Sequence, residues 1–301
     1  MVQAALKVKH LTKDFGHGRG IFDVNFTIEP GEVFGFLGPN GAGKTTTIRH
    51  IMGFTKPGKG SASVLGLDCT TQYDQVMQHV GYLPGEIALP EGVSGWEFIR
   101  TMQKMRHVTD DRYLNELLDF FELDPSGSTK RMSLGTKRKL AVVTAFLADP
   151  EILILDEPTS GLDPAMQDKF IQFMVKEKRR HKTILLSSHI FPEVEATCDR
   201  IAIIKDGRIV SSVDANKLQN KGEKTFELFF ASQADLKQAK HDLTGKCGSN
   251  SLTVKIKLAD LNTFFRQQLQ DRHVTKLVEH KFDLEQYFLA FYQTDKVFKT
   301  I

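Results

Sequence analysis

Cysteine is scarce: Cys69, Cys198 and Cys247 are spread over 301 residues with no C-x-x-C pair. This excludes a disulfide-stapled secreted scaffold and a zinc knuckle, and a reducing cytosol is the expected home. Long apolar runs are absent as well. The nearest, Ala141–Ala148, is short and interrupted by Thr144, well below the roughly 20 residues that a membrane helix needs. The amino terminus alternates Val, Lys, Leu and Lys and has no apolar signal core. The chain is therefore expected neither to cross a membrane nor to be secreted, and any membrane role must come through a partner. Charge excess is also small. With 40 basic and 37 acidic residues the net charge is +3, which gives no global argument for nucleic acid or an anionic surface. No internal repeat is found.

What remains is ordinary for a folded protein. A 41% hydrophobic and 26% charged composition excludes a disordered chain and a fibrous rod, and the length points to about two domains. Phe22, Val24, Phe26 and Ile28 alternate with polar residues as in a half-buried strand. The turn signal Glu29-Pro30-Gly31-Glu32 follows. Val33–Leu37 is then continuously apolar, as in a strand buried on both faces. A glycine-rich loop, Gly38–Gly43, and a helix-compatible run, Lys44–Met52, come next.

The block 94–130 predicts helices. Ser94 and Glu97 have capping-box spacing. Trp96, Ile99, Met102 and Met105 recur at about helical period, and Leu114, Leu117, Leu118 and Phe121 share a face of a second helix; both stripes read as core packing. Strand-like runs return at Ile152–Leu155, Thr183–Ser187 and Ile201–Ile204. Strands separated by helices imply a parallel sheet with crossover connections.

Around Val213–Lys224 the composition turns polar. Beyond it Phe226, Leu228 and Phe230 alternate, as do Leu252, Val254, Ile256 and Leu258. Two helical stripes follow: Leu261, Phe264, Phe265 and Leu269, then Leu284, Tyr287, Phe288, Phe291 and Tyr292, the latter opened by an Asp283/Gln286 capping pair. The expected organisation is an α/β domain over 1–220, with a helical subdomain at about 94–131, and a small α+β domain over 221–301.

Two stretches carry chemistry. Gly38-Pro39-Asn40-Gly41-Ala42-Gly43-Lys44-Thr45 fits G-x-x-x-x-G-K-[ST]. Glycines let backbone N–H groups form a nest for phosphate oxygens, and the following helix presents its free N–H groups and dipole to the same anion. Lys44 would add a charge at the β and γ phosphates and the Thr45 hydroxyl would ligate Mg²⁺, with Thr46 beside them. The strand before the loop and the helix after it are the context this pattern requires. Ile152-Leu153-Ile154-Leu155 ends in Asp156 and Glu157. At the carboxyl end of a parallel strand, Asp156 is placed to hold Mg²⁺ directly or through water. Glu157 is placed to orient or deprotonate an attacking water.

With these motifs the sequence resembles the ATP-binding subunits of ABC transporters. Met132-Ser133-Leu134-Gly135-Thr136 sits where that family has its L-S-G-G-Q signature, Ser160-Gly161-Leu162-Asp163 matches its D-loop, and Ser187-Ser188-His189 places His189 at its switch histidine. Phe15 fits the aromatic that stacks on adenine. Five motifs in order cover about Leu6–Val213. The resemblance implies a P-loop ATPase domain of ABC type that binds ATP and Mg²⁺. It further implies that two such domains pack head to tail, so that Ser133 and Gly135 of one cap the γ-phosphate held by the other. His189 would bind that phosphate and help position water, and Asp163 would signal across the dimer. The second ATPase could be an identical chain or a different one.

Two departures stand out. The family has Gln or Glu after its Tyr-Leu-Pro-like strand end, whereas Tyr82-Leu83-Pro84 is followed here by Gly85 and then Glu86. Glu86 is the candidate for the contact with Mg²⁺ and the membrane partner. The signature carries Leu134 for its first glycine and Thr136 for glutamine.

The accessory tail resembles that of prokaryotic export-type subunits, which pair with a separately encoded permease. The function expected is an ATPase that powers such a permease, peripheral on the inner face of the cell membrane, with no nucleic-acid partner. The alternative is an ABC-type ATPase acting on ribosomes or DNA. Its usual marks, paired ATPase units or a long coiled-coil insertion, are missing: one phosphate loop is present, and only 112 positions lead from Lys44 to Asp156. An ordinary P-loop kinase would leave Ser133–Gly135 and Ser160–Asp163 unexplained.

Overall fold

The computed structural model describes residues 3–215, 223–269, 272–280 and 284–297, with Gln268 and residues 292–297 given by backbone alone. They fall into two units, 1–213 and 214–301.

The first unit is built on a six-stranded sheet. β3 (Val33–Leu37), β7 (Ile152–Asp156) and β8 (Thr183–Ser188) are buried at every position. β9 (Arg200–Lys205) is buried except at its ends. Such strands read as unbroken apolar runs because helices cover both faces of a parallel sheet. The order is β10-β9-β3-β8-β7-β6, with β6 at Val80–Leu83 and β10 at Arg208–Asp214. Consecutive pairs from β9 to β6 are parallel, so β3, β7 and β8 all end on one side, where Leu37 meets Ser188 and Asp156 meets Ser187 in register.

A second sheet, which the alternation of strands and helices does not announce, is antiparallel. Its order is β2-β1-β4-β5, from β1 (Leu6–Asp14), β2 (Gly20–Ile28), β4 (Lys59–Val64) and β5 (Leu67–Asp68). It shares one apolar core with α1 (Lys44–Ile51), α2 (Tyr73–His79) and the large sheet, in which Phe26 stacks on Phe34 at 5.1 Å.

The middle block forms α3 (Gly95–Met105), α4 (Arg112–Phe120) and α5 (Leu134–Phe146). Ser94 and Glu97 close the capping box, and Leu114, Leu117, Leu118 and Phe121 are buried as expected. The first stripe is corrected. Ile99 is buried but Met105 is 69% exposed, because a repeat of three falls behind the helical turn of about 3.6 residues and brings position 105 to the side opposite 96. α6 (Pro164–Arg179) and α7 (Phe191–Thr197) complete the unit.

The second unit has an antiparallel sheet of order β12-β13-β11-β14, with β11 at Glu223–Phe230, β12 at Gly245–Cys247, β13 at Ser251–Lys257 and β14 at Val274–His280. Phe226, Leu228, Phe230, Leu252 and Val254 face α8 (Gln233–Asp242) through Leu236 and Ala239. The short α9 (Leu261–Thr263) runs into a π-helical turn, Phe264–Gln268, that buries Phe264 but leaves Phe265 40% exposed. Leu258 lies past the end of β13 and is exposed, so that alternation stops at Ile256. The last helix, α10, spans Leu284–Val297; the expected cap at Asp283 and the side chain of Tyr292 lie outside the described residues.

Candidate functional site

The loop 38–43 joins β3 to α1, and glycine is required at both of its ends. A Cβ at Gly38 would meet the Ile204 carbonyl oxygen at 2.6 Å. Gly43 has φ of 110° and a Cβ there would meet Ile21 at 2.8 Å, a backbone that L side chains rarely adopt. Gly43 is also the N-cap of α1, and no side chain caps that helix. Its first N–H groups are therefore not consumed by a capping side chain, which leaves an anion-binding helix start. Pro39, Asn40 and Gly41 are exposed and Ala42 is buried.

Lys44 is only 5% exposed and turns back over the loop. Its Nζ donates to the Gly38 carbonyl at 2.5 Å and to Pro39 at 3.1 Å. It also lies 3.0 Å from Glu157 Oε1. The Thr45 hydroxyl donates to Asp156 Oδ2 at 2.7 Å, and Ser187 Oγ donates to Asp156 Oδ1 at 2.7 Å. Asp156 is fully buried, with one hydroxyl on each oxygen. The half-buried Thr46 accepts at its carbonyl, 2.7 Å from His50 Nδ1.

Glu157 has φ of 50°. Its N–H donates to the Ser187 carbonyl at 2.9 Å, and its Oε2 lies 2.5 Å from His189 Nδ1. The ends of β3, β7 and β8 thus bring one ammonium, two carboxylates, two hydroxyls and an imidazole into a connected cluster. Such a set can grip an anion, hold a hard cation through oxygen donors and orient a water.

The other candidates take separate places. Ser133 Oγ caps α5 by accepting from the Thr136 N–H at 3.1 Å. Leu134 is 62% exposed and leans on Gly161, where a Cβ would come within 2.8 Å of it; a Cβ on Gly135 would meet the Gly161 carbonyl at 3.6 Å. Asp163 caps α6 by accepting from the Met166 N–H at 2.9 Å. Phe15 is a 54% exposed ring just past β1. Glu86 is exposed, and its neighbour Gly85 is the residue whose backbone approaches Asp156, a Cβ there falling 3.2 Å from Oδ2.

Residues 21–160 match the family model described as ABC transporter. Over 263 residues the chain is 34% identical to the uncharacterised ABC transporter ATP-binding protein YhcH of Bacillus subtilis, covering 86% of this chain and 85% of that protein. This chain belongs to the ABC transporter ATP-binding proteins. Another relative, 33% identical over 216 residues and covering 70% of this chain and 71% of its own, is the Nod factor export ATP-binding protein I of Burkholderia lata. A solved structure titled as the ATP binding subunit of an ABC transporter superposes with a TM-score of 0.66 at 31% identity, covering 72% of this chain and 92% of that one. The fold is accordingly that of an ABC ATPase domain, and the chain is an ATPase that binds and hydrolyses ATP and works with membrane components of a transporter. Among the described residues no helix is long and apolar enough to cross a membrane.

Three residues of this ABC ATPase gained no role from sequence reasoning. Ser187 stands opposite Asp156 in the β7–β8 register, which matching the carboxyl ends of the two strands would have revealed. Glu193 is 1% exposed and accepts from Ser188 Oγ at 2.5 Å; burial raises its carboxyl pKa to about 7. No motif pointed to it. Arg138 lies inside the basic run Lys137-Arg138-Lys139, where it passes for a solvated surface residue, yet it is 3% exposed.

Proposed function

We propose that this chain is the ATPase subunit of a transporter whose permease is a separate protein, that it drives export, and that it works as a head-to-tail dimer around two ATP molecules. The observation that carries this reading is the meeting of Lys44 and Thr45, at an uncapped helix start, with Asp156, Glu157 and His189. The backbone of 38–43 would cradle the β and γ phosphates and Lys44 would neutralise them. The exposed face of Phe15 would take the adenine. Mg²⁺ fits the oxygen-only pair of Thr45 and Asp156, and Glu86 is the carboxylate that its loop could add. When bound, the cation would neutralise phosphate charge.

Glu157 would hold the attacking water and accept its proton, and His189 would keep Glu157 aimed and contact the γ-phosphate. Ser133 and Gly135 would meet the γ-phosphate of the second copy, with Asp163 near the dimer seam. Export as the direction is supported by the Nod factor export relative. The chain would sit on the inner face of the membrane, held by the permease, with residues 221–301 as an accessory domain.

Purification from detergent-solubilised membranes tests the assignment. A permease should accompany the chain, and addition of that permease should raise ATP turnover. Recovery of the chain only with ribosomes or in the cytosol would overturn it.

A further inference from the structure

Arg138 stands on α5 one turn beyond the Ser133 cap and is almost completely buried. Its guanidinium donates to three backbone carbonyls on two loops. Nε reaches Ser160 at 2.9 Å, Nη1 reaches Pro84 at 3.1 Å and Nη2 reaches Gly85 at 2.7 Å. Each loop is one step from a carboxylate of the nucleotide site. Gly85 packs its backbone against Asp156, and the Ser160 N–H donates to the Glu157 carbonyl at 3.1 Å. Burial holds the Arg138 pKa below its ordinary value, partly offset by the charges of Asp156 and Glu157.

We propose that Arg138 is a positioning residue that fixes the 84–85 and 157–161 loops to α5, so that the start of that helix and the two carboxylates move as one piece. In a chain with glycine at position 85, no side chain of that residue can make the link, and the arginine makes it through the loop's carbonyls instead. A guanidinium suits this task because its planar fork presents several donors in fixed directions, whereas an ammonium offers its donors from a single point. The assignment rests on the proposed facing of Ser133 toward a second copy's phosphate.

Arg138→Lys and Arg138→Met test it against the parent protein. ATP affinity of the isolated chain should stay within about twofold, while kcat per ATP-binding site falls about tenfold or more in Arg138→Met and less in Arg138→Lys, with little change in KM. Counting turnover per bound nucleotide removes any loss due to unfolded protein. Either variant with parental kcat, or with ATP affinity falling in step with kcat, overturns the assignment.

Hydrogen exchange of the parent supplies a test that needs no variant. On adding Mg²⁺ and a non-hydrolysable ATP analogue, amides of 85–87, of 157–161 and of the first turn of α5 should gain protection together. Independent behaviour of the 85–87 loop overturns the proposal. A parent without ATP turnover would instead sink the functional reading, whereas an active parent with equally active Arg138 variants sinks only this assignment.

Discussion

Two helices of the first unit begin in opposite ways. α1 starts at Gly43 with no side chain on its first N–H groups, and α5 starts under Ser133, whose hydroxyl already accepts from Thr136. An uncapped start keeps its donors available for an outside anion, while a capped one has used a donor within the chain. The comparison separates two tasks within one protein. In the proposed reading the α1 end would bind triphosphate by itself, and the α5 end would need a second copy's phosphate to give Ser133 a further partner. Glu157 lies at the junction, against Lys44 of α1 and one turn before Gly161, on which Leu134 of α5 rests.

Substitutions at these points would break or sharpen the contrast. The largest effect is expected at the junction. Glu157→Gln should keep ATP bound, slow turnover by roughly 10²–10⁴-fold and accumulate an ATP-dependent dimer in gel filtration; parental turnover would remove Glu157 from its assigned role. Lys44→Ala acts at the α1 start and also removes the ammonium beside Glu157. Loss of a charge-assisted contact of roughly 1.5–3 kcal/mol should weaken ATP binding about ten- to a hundredfold, measured by titration of the isolated chain, and unchanged affinity would refute the cradle.

Ser133→Ala acts on the α5 start. The lost cap should cost about 1 kcal/mol of stability, seen in denaturant unfolding, while ATP affinity of the isolated chain stays put and turnover falls. A drop in that affinity would erase the distinction between the two helix ends.

The test with no expected effect on turnover concerns Glu193, which touches neither helix start. Its folded pKa is raised to about 7 from an ordinary 4.5. The folded protein therefore holds the extra proton between those values, and the stability linked to it is present below 4.5 and is lost as pH rises through 7. Glu193→Gln cannot ionise, so its melting temperature relative to the parent should rise between pH 5 and pH 8. A pH-independent difference would contradict this.

The large sheet was legible because β3, β7, β8 and β9 are nearly pure apolar runs, and its chemistry because Asp156 and Glu157 interrupt one of them. In the antiparallel sheet of the first unit only β2 was, through the alternation from Phe22 to Ile28. β4 reads Lys-Gly-Ser-Ala-Ser-Val with two buried side chains, and β1 loses its register twice against β2, so neither shows a clean alternation. The ammonium and carboxylates of the site could be named from spacing alone. Arg138 could not, because its partners are carbonyls, which every residue carries and no sequence pattern marks. Glu86 and Gly85 show the same limit from the other side: the loop's composition was visible, but which residue approaches Asp156 depends on where the chain turns.

The left-handed backbone at Glu157 has a consequence for what that position can hold. A β-branched residue there would clash with its own chain, so Val, Ile and Thr would disturb the β7 terminus itself, whereas Gln alters only the head group. The bond from the Glu157 N–H to the Ser187 carbonyl ties that torsion to the neighbouring strand. Slippage between those strands would therefore swing the carboxylate away from the lysine with every side chain of the cluster still intact, so that, if Glu157 acts as proposed, strand alignment would set turnover in its own right.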